Sequence, residues 1–193
     1  MFNTFMQKKI PKIYYFINEL NLTDLSKLSK NINIIYRNYQ KKIAANELIA
    51  LKSFCNNSKR KLFISNNIKL ALEFKLNGIY IPSFNRKINY ISTFSLPKNF
   101  KIIGSAHNFQ EIQIKKKQGC KEIFISPLFQ VKKKTNYLDI YNFNKLTNDK
   151  NLNFVALGGI NQKNYKKIKL TKSSGFAGIT WIKKNGLSKL RPF

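Results

Sequence analysis

Residues 101–129 read KIIGSAHNFQEIQIKKKQGCKEIFISPLF, and the order of elements in this stretch decides the fold. KIIGSA, from Lys101, is short and almost continuously apolar, as expected of a strand covered on both faces. Asn108 follows as a candidate N-cap, with Glu111 three residues later at capping-box spacing, so the spacing predicts a helix over NFQEIQIKKKQG. Gly119 ends that helix, and EIFISPLF, from Glu122, is the next strand. Strand, helix and strand in sequence imply a parallel pair joined by a crossover.

The same unit recurs in both directions. Apolar, β-branched or aromatic runs begin at Lys12 (KIYYFIN), Asn31 (NINIIYR), Lys61 (KLFISN), Gly78 (GIYIPS), Asn153 (NFVALGG) and Gly175 (GFAGITWI), making eight candidate strands with the two above. Between them AANELIALKSFC, from Ala44, sets Leu48, Leu51 and Cys55 at helical spacing, and NQKNYKKIKL, from Asn161, reads as another helix. Residues 85–97 are the weakest helix of the series and are expected to be short or irregular. Eight repeats at roughly 20 to 25 residues predict a small (β/α)8 TIM barrel of the α/β class with minimal loops, folded as one domain over residues 1–193. Periodicity alone does not separate it from an open doubly wound sheet.

With 43% apolar residues the chain can bury a core, which excludes disorder as its ground state. The formal net charge of +28 raises the question of polyanion binding. The lysines, however, run from Lys8 to Lys189 rather than forming one face, and they accompany Asn, Ile, Phe and Tyr, all served by A/T-rich codons. Drift in codon use is the simpler reading, and no specific nucleic-acid partner is expected. Cys55 and Cys120 lack metal or disulfide spacing and are expected as buried free thiols. MFNTFMQKKIPKIYYFIN offers no apolar run long enough for a signal peptide or membrane span, so a soluble, cytoplasmic protein with no membrane partner is expected. Oligomeric state is not legible.

In a closed parallel barrel the functional residues stand at the C-terminal strand ends. There Gly158-Gly159 allows close backbone approach to an anion, with Gly178-Ile179-Thr180 adding N–H groups and a hydroxyl. The plainer alternative is a tight turn. His107, the one histidine, stands beside Ser105 after the fifth strand, and an imidazole is the side chain best suited to donate or accept a proton at neutral pH. Residues 126–134 form a polar, basic loop suited to closing over a phosphorylated ligand, Arg37 can clamp a phosphate oxygen, and Asn66 and Asn67 offer amides. Glu19 follows the first strand as the acid nearest these ends.

Taken in order, Gly104-Ser105-Ala106-His107, Gly119 through Phe129, Ala156 through Asn164 and Gly175-Phe176-Ala177-Gly178-Ile179 resemble the thiamine-phosphate synthase/TenI family. The resemblance runs from the first strand to Ile182 and is specific in the C-terminal half. It implies a thiamine-pathway transferase that condenses a hydroxymethylpyrimidine diphosphate with a thiazole phosphate and uses Mg2+. By that resemblance Arg37, Asn66, Ser105, Lys134, Gly158, Gly159 and Thr180 contact substrate, while Ile35 and Tyr39 replace the Gln and Lys that flank the family's arginine. Val131 and Lys133 replace the threonines before Lys134. Asn67 and Asn85 stand where the family has metal-binding aspartates, which argues against efficient metal-assisted chemistry. The TenI branch, a thiazole tautomerase, uses a histidine at the position of His107. A synthase of reduced efficiency leads, with the tautomerase and a non-catalytic phosphate-ligand-binding or regulatory barrel as alternatives.

Overall fold

The computed structural model describes residues 11–131 and 136–185. Its strands are β1 (Lys12–Ile17), β2 (Ile32–Tyr36), β3 (Leu62–Ser65), β4 (Gly78–Ile81), β5 (Lys101–Ala106), β6 (Glu122–Ile125), β7 (Asn153–Leu157) and β8 (Gly175–Gly178). Each pairs in parallel with the next, and β1 pairs with β8 through Lys12↔Gly175, Ile13↔Phe176, Tyr14↔Ala177 and Tyr15↔Gly178. That last pairing closes the sheet, so the barrel and not the open sheet is correct.

The α-helices are α1 (Leu22–Ser26), α2 (Ala45–Asn57), α3 (Ile68–Glu73), α4 (Phe109–Lys117), α5 (Asp139–Leu146) and α6 (Thr180–Asn185). In α2 the buried face is Leu48, Leu51 and Cys55, as the spacing predicts. In α4 the Asn108 side chain accepts the Glu111 N–H at 2.9 Å, and Gly119 turns the chain at φ +81°. Residues 85–97 contain only a 3-10 turn, Ile88–Tyr90. The helix expected from Asn161 is instead a 3-10 segment, Tyr165–Leu170. Asn161 and Asn164 explain the difference. Their side chains bond Gly159 O, Asn161 N and Lys163 N locally, an alternative to helical turns that asparagine favours.

Alternation along each strand fills the barrel interior. Tyr14 and Phe16 of β1 meet Ile35, Phe63, Tyr80, Ile103, Phe124, Val155 and Ala177, one from each remaining strand. The rings interlock edge to face: Tyr14–Phe124 at 4.9 Å, Phe16–Tyr80 at 5.2 Å and Tyr80–Phe124 at 5.6 Å between centroids. Small residues on β7 and β8 make room for these rings. The other strand faces pack outward against the helices in the larger cluster.

The barrel floor is polar. Glu122, 6% exposed, accepts hydrogen bonds from Tyr14 Oη and Lys12 Nζ. Burial and the neighbouring Lys61 and Lys12 hold Lys101 below the usual lysine range, and Glu122 opposes that shift. One carboxylate thus answers several ammonium groups.

Cys55 and Cys120 are free and buried as expected, and burial pushes each thiol up to about 12. Both are therefore expected to resist a thiol reagent at neutral pH until denaturant is added. Rapid labelling of either in the native protein would contradict the packing around α2 and α4. No helix among the described residues is long and apolar enough to cross a membrane.

Candidate functional site

The C-terminal strand ends form one mouth, and the pleat decides which side chains enter it. On β2, Ile35 lies inside the barrel, so Arg37 two residues on shares that face. Its guanidinium lies 4.9 Å from the Phe16 ring centroid, a half-buried cation held over an aromatic face. Beside it a cavity of about 760 Å3 is lined by Asn18, Glu19, Arg37, Asn38, Lys41, Lys42 and Glu47, among others. Lys41, Lys42 and Glu47 were not evident from the sequence as mouth residues. Lys41 and Lys42 lie in the irregular loop after β2, which has no period to read, and Glu47 stands in the first turn of α2.

At the end of β3, Asn66 takes φ +55°, a left-handed conformation that asparagine tolerates better than most residues. Its Oδ1 accepts Asn85 Nδ2 at 2.7 Å, while Asn85 Oδ1 accepts Lys87 N–H at 3.1 Å. Asn67 points elsewhere: it is the N-cap of α3, accepting Leu70 N–H at 3.0 Å. All three amide oxygens therefore already accept from N–H groups, and none carries charge. This donor set does not fit Mg2+, which takes carboxylate and phosphate oxygens in octahedral geometry. Among the described residues no three His, Cys, Asp or Glu side chains are grouped to hold a metal ion.

The β5 end is built around hydrogen bonds. Ser105, 5% exposed, accepts Ser83 N–H at 3.0 Å and lies within hydrogen-bonding reach of the buried Tyr80 hydroxyl. Burial drives that phenol well above its usual range. His107 is exposed at the mouth. Its Nδ1 lies 2.7 Å from the carbonyl oxygen of Ser126, which can only accept, so Nδ1 carries the proton. Nε2 is then free to accept, and Ser83 Oγ lies 3.2 Å from it. The His107 backbone N–H donates to Glu111 Oε2 at 2.8 Å, tying the residue before the N-cap to the first turn of α4. Ser83 lies in none of the strings that carry the resemblance, and Ser126, though inside Gly119 through Phe129, acts through its backbone carbonyl, which sequence does not reveal.

Gly158 and Gly159 take φ +88° and +72°. A Cβ on Gly159 would lie 2.3 Å from Phe129 O, so the loop after β6 presses directly onto the loop after β7. Phe129 N–H donates to Gly158 O at 3.1 Å and Leu128 N–H to Leu157 O at 2.8 Å. The glycines therefore serve a tight loop–loop contact, whatever they do for an anion. Thr180, exposed, opens α6 beside Gly178. The structure gathers Asn66 with Asn85, and Ser105 with His107 through Ser83. Arg37 stands on the β1–β2 side of the mouth. Lys134 lies outside the described residues.

Two of the basic side chains are buried as carbonyl staples. Arg60, 4% exposed, donates to Leu28 O at 2.7 Å and Ser29 O at 2.8 Å. Lys115 of α4 is fully buried and donates to Pro82 O, Asn85 O and Gln118 Oε1. Burial pushes its ammonium down to about 8.

Comparison with known proteins agrees with this architecture. The family model described as Thiamine monophosphate synthase matches residues 28–182. A thiamine-phosphate synthase of Prochlorococcus marinus is 34% identical over 159 residues, covering 78% of this chain but 45% of the relative. That of Pelagibacter ubique is 30% identical over 190 residues, covering 91% of this chain and 86% of the relative. The chain thus spans less than half the length of the Prochlorococcus relatives it matches. Thiamine phosphate pyrophosphorylase from Pyrococcus furiosus superposes with a TM-score of 0.71 at 16% identity, over 91% of this chain and 92% of that one. KGPDC from Streptococcus mutans superposes at 0.69 and 11% identity, covering 91% and 90%, so the barrel by itself does not choose a chemistry. The extent of the family match, together with the pairwise identities, places this chain in the thiamine monophosphate synthase family.

Proposed function

We propose that the chain acts in thiamine biosynthesis, joining a hydroxymethylpyrimidine diphosphate to a thiazole phosphate with release of pyrophosphate. The observation that carries this reading is the cavity beside β1 and β2, of about 760 Å3, where Arg37, Lys41 and Lys42 outnumber Glu19 and Glu47. It lies apart from the glycine loops and falls within the roughly 300–1,000 Å3 of small-molecule sites. A mouth with the glycine loops on one side and a cavity bearing Arg37, Lys41 and Lys42 on the other suits two phosphorylated substrates. In the reaction the thiazole nitrogen forms a bond to the exocyclic methylene carbon of the pyrimidine. The carbon–oxygen bond to diphosphate breaks, and its electron pair leaves with the diphosphate. Arg37, Lys41 and Lys42 would stabilise that departing charge, and Gly158, Gly159 and Thr180 would hold the thiazole phosphate. The net charge of +28 would draw both anions to the protein.

The test is incubation of the purified chain with both substrates and magnesium. Thiamine phosphate is expected, and Arg37→Ala is expected to raise the KM for the diphosphate at least about tenfold. Complete absence of product from the unaltered chain would remove this reading.

The geometry of His107 favours a second reading, proton transfer on the thiazole phosphate alone. Nδ1–H is held by Ser126 O and Nε2 is left as acceptor, the arrangement of a general base. Tautomer interconversion by the chain with thiazole phosphate, abolished in His107→Ala, would establish it. Equal rates in the two proteins would exclude it.

A further inference from the structure

We propose that Lys115 is a positioning residue: its buried ammonium fixes the loop after β4 from beneath and thereby holds Ser83 against His107 and Asn85 against Asn66. The proposal rests on the reading of this mouth as the reaction site.

The three ammonium donors are all used, to Pro82 O at 2.7 Å, Asn85 O at 2.7 Å and Gln118 Oε1 at 2.8 Å. Gln118 extends the grip with Nε2 donating to Asn85 O at 3.0 Å and Lys87 O at 2.9 Å. The tethered carbonyls of Pro82 and Asn85 bracket Ser83 and Phe84. Within that bracket Ser83 N–H donates to Ser105 Oγ, and Ser83 Oγ meets the imidazole. At its end Asn85 reaches Asn66 across the β3–β4 gap. The loop has only a 3-10 turn behind it, so the fold provides no α-helix to hold it. Lys115 supplies from α4 what the missing crossover helix would supply.

A second observation is independent of these bonds. A Cβ on Gly104 would lie 2.9 Å from Lys115 Cδ and 2.9 Å from Cys120 Sγ. The absent side chain in β5 is therefore the space through which the lysine stem passes. Removing an ammonium from water is costly, and an apolar residue on this helix face would avoid that penalty. A lysine here, with a glycine opposite, makes sense as a clamp on the loop rather than as core filler. The same helix holds His107 from its other side through Glu111. One short helix thus governs both the backbone and the hydroxyl partner of the imidazole.

The test uses the lone histidine, whose imidazole nitrogens give 15N signals that need no assignment among rivals. In Lys115→Met the Nε2 signal is expected to move toward that of an imidazole lacking a hydroxyl donor. Amide exchange at Ser83 through Lys87 is expected to rise at least about tenfold, as the loop opens locally. For proton transfer on thiazole phosphate, the reaction in which His107 is the base, kcat should fall at least about tenfold, while the KM for thiazole phosphate changes less than about threefold. A folded Lys115→Met protein with unchanged Nε2 signal and unchanged loop exchange overturns the proposal. Should that variant not fold, Lys115→Gln, whose amide can keep part of the grip on Pro82 O and Asn85 O, decides: it must raise exchange at Ser83 through Lys87 and shift Nε2 in the same direction, and no change in either overturns the proposal. The spectra and exchange do not require turnover. An inactive wild-type chain would therefore sink the proposed function while leaving the clamp measurable.

Discussion

Gly159→Ala is expected to destabilise the protein by about 4 kcal/mol, a large effect for one methyl group. Two terms act together. At φ +72° any β-carbon meets its own backbone, which costs about 1–2 kcal/mol. The added carbon would also lie 2.3 Å from Phe129 O, 2.5 Å from Phe129 C and 2.7 Å from Gln130 O, all of them backbone atoms that no rotamer change can move aside. Relief requires the β6 and β7 loops to separate, breaking Phe129 N–H to Gly158 O and Leu128 N–H to Leu157 O. Because those loops are the proposed phosphate site, thiazole phosphate affinity should fall with stability. Urea unfolding and titration calorimetry on the same variant measure both. A midpoint within error of wild type would show that the two loops do not touch as described.

Glu122→Gln is expected to destabilise by about 3 kcal/mol, because a nearly buried carboxylate is removed while its ammonium partners stay. The amide can still accept from Tyr14, so that bond is not the main loss. What is lost is the negative charge facing Lys12, with Lys61 and Lys101 beyond it. At roughly 2–4 °C per kcal/mol for a chain of this size, melting should drop by about ten degrees. Salt should narrow the gap, since the half-exposed Lys12 is open to screening. Lys101→Met placed on top of Glu122→Gln should restore part of the loss, and strict additivity in that double-mutant cycle would refute the charge argument.

The strands and the two longest helices were legible because their signals are local. Nearly continuous apolar runs such as Ile32–Tyr36, the Leu48/Leu51/Cys55 face and the Asn108–Glu111 cap each lie within a dozen residues. Barrel closure, though expected, could not be read from periodicity alone, since it depends on Lys12 pairing with Gly175 across nearly the whole chain. The segment after Asn161 misled because asparagine side chains fit a helix start and a series of local turns equally well. At the site, His107, Gly158 and Gly159 lie in recognisable strings, and the mouth does contain them. Ser83 and Lys115 do not, and Ser126 lies in one without its role being visible, because the importance of all three comes from partners 19 to 33 residues away. Lys115 was also masked by composition: in a chain with 36 Lys and Arg, one more lysine on a helix carries no signal until its burial is known.

Trp181 follows Thr180 directly and packs against Tyr165 and Phe176, with ring centroids 5.2 and 6.1 Å away. It is the chain's lone tryptophan. The indole therefore sits next door to the hydroxyl proposed to hold the thiazole phosphate, and its emission belongs to that one place in the molecule. Occupancy of the β8 end can be followed by intrinsic fluorescence, without a dye, a label or a coupled enzyme.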